Sequence, residues 1–179
     1  MTSVQIHPYE TSRWGDLWAV RFNQLAEHGI ILPPVVPPID EPFADGDPEY
    51  DYYCMQDMYL RGVGNFWLAF LDDVPVGHIG AQDIDGQIEL RRMFVDARYR
   101  RRGIGSALVN ALIEHAMRQH VDCIELWTAS HGVGEQLYRH LGFKVVPEPS
   151  SAFANVTAQT RYVPGQNEVR MQLRVPFHA

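Results

Sequence analysis

Only two cysteines, Cys54 and Cys123, occur in the 179 residues, and neither lies in a Cys-x-x-Cys or similar spacing. That excludes a disulfide scaffold and a thiolate metal site, and it points to a reducing compartment with the cytoplasm as default. No apolar run approaches the roughly 20 residues needed to span a bilayer, and no basic start followed by an apolar stretch opens the chain. A soluble protein without a membrane partner is expected. Net positive charge is lacking as well: the formal charge is -7 and the sequence pI about 5.5, which argues against a coat for nucleic acid. The eight histidines show no spacing with acidic or cysteine partners that suggests a metal site, so no metal is expected.

What the chain does have is apolar material for a core. Hydrophobic residues make up 46% and charged residues 21%, which suits one domain over 1–179. No internal repeat or sustained heptad is visible. The oligomeric state stays open between a monomer and a homodimer.

The richest segment is Arg100-Arg101-Arg102-Gly103-Ile104-Gly105-Ser106, entered from an apolar run, Leu90 to Val95, and followed by a helical pattern to His120. Gly103 and Gly105 remove Cβ atoms where backbone would approach a ligand closely. The helix behind them offers unpaired amides and the positive end of its dipole. Together these make an anion site suited to a pyrophosphate. In the helix, Ile104, Ala107, Leu108, Ala111, Leu112 and His115 share one face, and Asn110, Glu114 and Arg118 fall outside it. Two nucleotide motifs do not fit: Leu108 stands where a dinucleotide fingerprint needs its third glycine, and no Gly-Lys-Ser/Thr closes a P-loop. Six of the 15 basic residues, Arg91, Arg92, Arg98, Arg100, Arg101 and Arg102, fall within a dozen positions. A nucleic-acid patch is the rival reading of that cluster, but the glycines and the net charge favour a small polyanion and no nucleic acid.

Before this segment, Trp14, Leu17, Trp18, Phe22 and Leu25 recur at helical intervals and Gly29 follows as a C-cap, giving a first helix over 11–28. A proline-rich, acidic stretch runs from Pro33 to Asp51 and reads as a loop. A short second helix ends near Gly62. Strands follow at 65–71, 75–82 and 87–95, joined by the turn pairs Asp72-Asp73 and Asp85-Gly86. In the third strand the apolar phase slips from Ile88 and Leu90 to Met93 and Val95, which an inserted bulge residue would produce. Beyond the cradle come a strand at 123–128, a short helix at 134–141 and closing strands at 143–146 and 168–175. The Ser-, Thr- and Pro-containing segment 147–167 between them is too long for a tight hairpin loop.

The order strand, Arg100-x-x-Gly103-x-Gly105, helix, strand, then Gln136-Leu137-Tyr138-Arg139-His140-Leu141-Gly142-Phe143 resembles the GCN5-related N-acetyltransferase family from Glu89 to Phe143. The resemblance implies an α/β (α+β) single-domain acyl-coenzyme A N-acyltransferase fold, with a mixed, mostly antiparallel sheet flanked by helices. Its coenzyme-binding core would cover about 87–146, and acceptor-side helices with the acidic loop about 11–62. It also implies transfer of acetyl from acetyl-coenzyme A, a co-substrate, to a primary amine of a small molecule or peptide in a ternary complex. The alternative is a non-catalytic acyl-coenzyme A sensor of the same fold.

By the same resemblance, backbone amides of Arg100, Arg101, Arg102, Gly103, Ile104, Gly105 and Ser106 hold the pyrophosphate. Met93, Phe94 and Val95 at the bulge contact the pantetheine arm and the thioester carbonyl. Tyr138 is the general acid and Glu89 the base, with Glu125 in reserve. Each has a structural alternative: Tyr138 as a core aromatic, and Glu89 as a solvent-facing residue paired with Arg91 or Arg92. His131 stands where the family often has a pantetheine-binding asparagine, so either it or Ser130 takes that contact, or it is a surface histidine. The acidic segment Asp40 to Tyr59 would attract a cationic acceptor or would simply be solvated.

Overall fold

The computed structural model describes residues 3–40, 47–147 and 167–176. The elements run β1 (Val4–Pro8), α1 (Trp14–Glu27), α2 (Tyr50–Tyr53), α3 (Met55–Met58), β2 (Asn65–Leu71), β3 (Val74–Ile84), β4 (Gln87–Val95), α4 (Ile104–Arg118), β5 (Cys123–Ala129), α5 (Val133–His140), β6 (Lys144–Val145) and β7 (Glu168–Arg174), with single 3-10 turns at Thr11–Arg13 and Ala97–Tyr99. Among the described residues seven strands form one sheet in the order β1-β2-β3-β4-β5-β7-β6. All pairings are antiparallel except β4 with β5. The mixed, mostly antiparallel sheet flanked by helices is therefore as expected. Among the described residues no helix is long and apolar enough to cross a membrane.

Alternation along β2 sorts the molecule into layers. Trp67, Ala69 and Leu71 join the core under α4 with Ile79, Ile88, Leu108 and Leu112, whereas Phe66, Leu68 and Phe70 join Trp14, Leu17, Trp18, Tyr52 and Tyr59 of the opposite layer. α1 and α4 thus cover opposite faces of the central strands. The meander turns at Asp72-Asp73 and Asp85-Gly86 all have positive φ, the conformation that two-residue hairpin loops require.

β4 carries the expected bulge. His78 pairs with Phe94 and Gly80 with Arg91, so Ile79 faces two residues, Arg92 and Met93. Arg92 has φ +51, a left-handed conformation that costs a non-glycine residue about 1–2 kcal/mol. Past the bulge, Met93 and Val95 turn to the α4 core that Ile88 and Leu90 serve before it.

Two elements differ from expectation. β1 is absent from the sequence reading because five residues ending in Pro8 alternate too briefly to signal a strand; pairing with the edge of β2 makes it one. The second helix is two single turns, α2 and α3. The segment 147–167, apart from its two ends, and positions 41–46 of the acidic stretch lie outside the described residues.

Candidate active site

β4 and β5 pair in register only at Ile88 with Ile124 and at Glu89 with Glu125. Beyond those pairs the strands part, and a cleft of about 1280 Å³ opens between them. Its walls are the bulged end of β4, the 97–106 segment, the end of β5 from Trp127 to Ala129, and α5 through Leu137 and Tyr138.

The cradle closes one end. Gly103 has φ +79 and forms the N-cap of α4. The first helical bond there runs from the Ala107 amide to the Gly103 carbonyl, at 2.9 Å, so the amides before Ala107 have no helical carbonyl to donate to. They lie at the positive end of a 15-residue helix. The two glycines have different jobs. A Cβ on Gly103 would meet no protein atom within 4 Å, so within the protein itself its requirement is the backbone conformation. One on Gly105 would lie 3.2 Å from Leu137 Cδ2 and 3.3 Å from Met93 Cε. Gly105 therefore lets α5 and the bulge close onto α4, an internal packing role where the sequence suggested ligand approach.

Half of the arginine cluster is paired with carboxylates. Arg98 pairs with Asp96, Arg100 with Glu27, and Arg92 with Asp51, while Arg91 donates to Gln82 Oε1 at 2.9 Å. Arg100 also donates to the Val95 carbonyl at 2.8 Å, and its own amide faces the Ala97 carbonyl at 3.4 Å. The amides left to an anion thus begin at Arg101. Arg101 and Arg102 are exposed on the rim.

Tyr138 is 5% exposed and lines the cleft. Its ring meets Phe143 edge-on at 5.6 Å, so it is a core aromatic and a wall of the cleft at once. Burial raises its pKa well above the ordinary phenol value, which keeps the hydroxyl protonated and able to donate. Glu89 also lines the cleft and is 3% exposed, so it does not face solvent, and of its two expected partners Arg92 is engaged by Asp51. Glu125, its neighbour across the parallel pairing, accepts from Gln172 Nε2 at 2.9 Å and lies 3.7 Å from Arg170 Nε. The geometry thereby separates the two carboxylates: one faces the cleft, the other is tied to β7.

Met93, Phe94 and Val95 all line the cleft. His131 does not join them: it is exposed with φ +59, and its amide donates to Glu135 Oε2 at 2.6 Å. The Ser130 amide is taken by the Asn167 carbonyl at 2.8 Å. The acidic stretch is divided where it is described: positions 33–40 are loop and mostly exposed, whereas Asp51 is buried against Arg92 and Glu49 is paired with Arg21. Sequence reasoning missed Gln24 and His28 at the end of α1, and Trp127 on β5, all of which reach the cleft. Trp127 carried a signal as an aromatic on the strand beside the cradle; the α1 residues carried none, because only the fold brings them there.

Set against known proteins, residues 36–143 match the sequence pattern of the acetyltransferase (GNAT) family. Relatives include the N-acetylaspartate synthetase of Xenopus tropicalis, 38% identical over 100 residues (54% of this chain, 37% of that protein). The Rattus norvegicus protein of the same name is 34% identical over 137 residues (69% and 44%), and an uncharacterised N-acetyltransferase of Methanocaldococcus jannaschii 40% over 92 residues (47% and 41%). The chain spans well under half the length of these relatives. In three dimensions it resembles a GNAT-family acetyltransferase of Staphylococcus aureus, with TM-score 0.71 and 22% identity over 97% of this chain and 100% of that one. It also resembles the PaiA N-acetyltransferase of Thermoplasma acidophilum, solved in complex with coenzyme A, with TM-score 0.65 and 17% identity over 96% and 99%. On its sequence match and its fold together, the chain belongs to the acetyltransferase (GNAT) family.

Proposed function

We propose that the protein is an N-acetyltransferase that moves acetyl from acetyl-coenzyme A to a primary amine within a ternary complex. The observation that carries this reading is the splay of β4 from β5, which puts free helix amides at one end of a cleft and the bulge, Tyr138 and Glu89 along its walls. Amides from Arg101 to Ser106 would hold the pyrophosphate, with Arg101 and Arg102 at the rim. Backbone amides near Phe94 and Val95 would polarise the thioester carbonyl.

Glu89 takes a proton from the ammonium, the freed amine attacks the carbonyl carbon, and the C–S bond breaks as the C–N bond forms. Tyr138 then protonates the departing thiolate. His131 falls out of this scheme, and the Glu125 carboxylate serves the sheet. A reducing, cytoplasmic setting fits the two free thiols. No nucleic-acid or membrane partner enters the reading, since Arg92, Arg98 and Arg100 are occupied by carboxylates.

The names of several relatives put aspartate first among amines to try. The test is thiol release from acetyl-coenzyme A with a panel of amino acids, polyamines and peptide N-termini, with the acetylated product identified by mass. Release with one acceptor class supports the reading. Binding of acetyl-coenzyme A without release for any amine would support the sensor alternative instead.

A further inference from the structure

His78 is completely buried in the layer opposite α4 and is absent from the cleft wall. Its Nδ1 lies 2.5 Å from the carbonyl of Arg92, the bulge residue. A carbonyl only accepts, so Nδ1 carries the proton. The bare Nε2 then accepts from the Tyr52 hydroxyl at 3.2 Å. Both ring nitrogens are thus committed, and the tautomer is set by its partners.

A second anchor holds the same residue by its side chain. Arg92 donates to both oxygens of Asp51, at 2.8 and 2.5 Å, and to the Pro48 carbonyl at 2.6 Å. Its guanidinium lies over the Tyr52 ring, 4.7 Å from the centroid. Tyr59 donates to Asp51 Oδ2 at 2.5 Å. The extra residue of a bulge has no ladder partner, and a buried carbonyl needs a donor; His78 supplies that donor. The backbone that lines the cleft immediately after Arg92 takes its direction from this grip.

We propose that His78 is a positioning residue for acetyl transfer: by holding the Arg92 carbonyl, it aims the bulge amides at the thioester carbonyl while touching neither substrate. This rests on the reading of the cleft as an acetyl-coenzyme A site. It also makes α2, through Tyr52 and Asp51, part of the device that shapes the donor site, so the acceptor-side layer and the thioester site form together.

The test uses three variants of the full chain, with acetyl transfer and coenzyme A affinity measured on each. Asn places an amide N–H near the position of ring Nδ1, whereas Gln reaches toward Nε2, and Leu supplies neither. His78→Asn is expected to keep kcat near the parent's. His78→Gln and His78→Leu are expected to lose about tenfold to a hundredfold in kcat. The dissociation constant for coenzyme A, which lacks the acetyl carbonyl and is held at the cradle, should stay near the parent's in all three. If the Leu variant does not fold, the Asn and Gln pair decides the matter. Parent-like kcat in the Gln variant, or equal losses in Asn and Gln, would overturn the inference. A parent protein that transfers acetyl to no amine would instead sink the functional reading beneath it.

Discussion

β3 and β4 stay paired from Ile84 and Gln87 to Gly77 and Val95, whereas β4 and β5 part after two residues. Both junctions are built from similar strands, yet one is closed by a two-residue turn and the other crosses over through α4. A tight turn keeps both strands in register along their length. Parallel strands joined by a crossover ordinarily stay paired as well, so the parting here goes with the bulge at Arg92 and Met93, which bends β4 just beyond its last pair with β5. The meander half thus carries stability, and the splayed half carries an opening that strand hydrogen bonding would otherwise fill.

Substitutions on the two sides should therefore fail differently. At the splay, Tyr138→Phe is expected to lower kcat by about 10²- to 10⁴-fold while coenzyme affinity and unfolding stay near the parent's. Steady-state kinetics with calorimetric binding reads both, and unchanged turnover would remove the tyrosine from the chemistry. Under the meander, Leu108 is fully buried, and Leu108→Ala should cost about 2–5 kcal/mol in urea unfolding. Below its melting temperature that variant should bind coenzyme as the parent does; a loss of binding in the folded state would blur the division.

Acid probes the layer behind the meander. Burial, the largest influence on His78, pulls its pKa down to about 4 from 6.5; on the other face of the sheet burial also lowers that of His115, on α4. The unfolded chain then binds more protons between pH 6.5 and about 4, so stability falls as pH drops through that window. The His78 contribution is about 3 kcal/mol, and His78→Asn should flatten the slope. Asp51 acts lower. Burial opposes its ionisation, but Arg92 and Tyr59 outweigh that and hold its pKa below 3.8, so its contribution is lost only under more acidic conditions. A stability curve flat from pH 6.5 to 4 would contradict the neutral, buried histidine. The smallest effect on stability is at the cradle: Gly103→Ala should cost about 1–2 kcal/mol in urea unfolding, because its φ of +79 strains a side chain while no protein atom lies within 4 Å of the added Cβ.

Much of this was legible in local sequence. The turn pairs Asp72-Asp73 and Asp85-Gly86, the phase slip at Met93 and the cradle at Gly103 each have a signal within a few residues, since turn chemistry and side-chain alternation act locally. The ion pairs of Arg92 with Asp51 and Arg100 with Glu27 join residues 41 and 73 positions apart, and no local pattern encodes such a meeting. They turned a cluster that looked like free positive charge into a set of internal clasps. Gly105 was legible as a special position, but its packing role was not, because its neighbours Leu137 and Met93 arrive from other elements. The bulge was visible, but its grip by His78 was not.

We propose that the splay between β4 and β5 is an acetyl-coenzyme A site. Thermal unfolding with acetyl-coenzyme A, ATP or buffer is the decisive measurement, since ligand at about 100 times its dissociation constant stabilises by roughly 2.7 kcal/mol. A raised melting temperature with acetyl-coenzyme A and none with ATP is the expected result. No shift with acetyl-coenzyme A, or an equal shift with both, would contradict it.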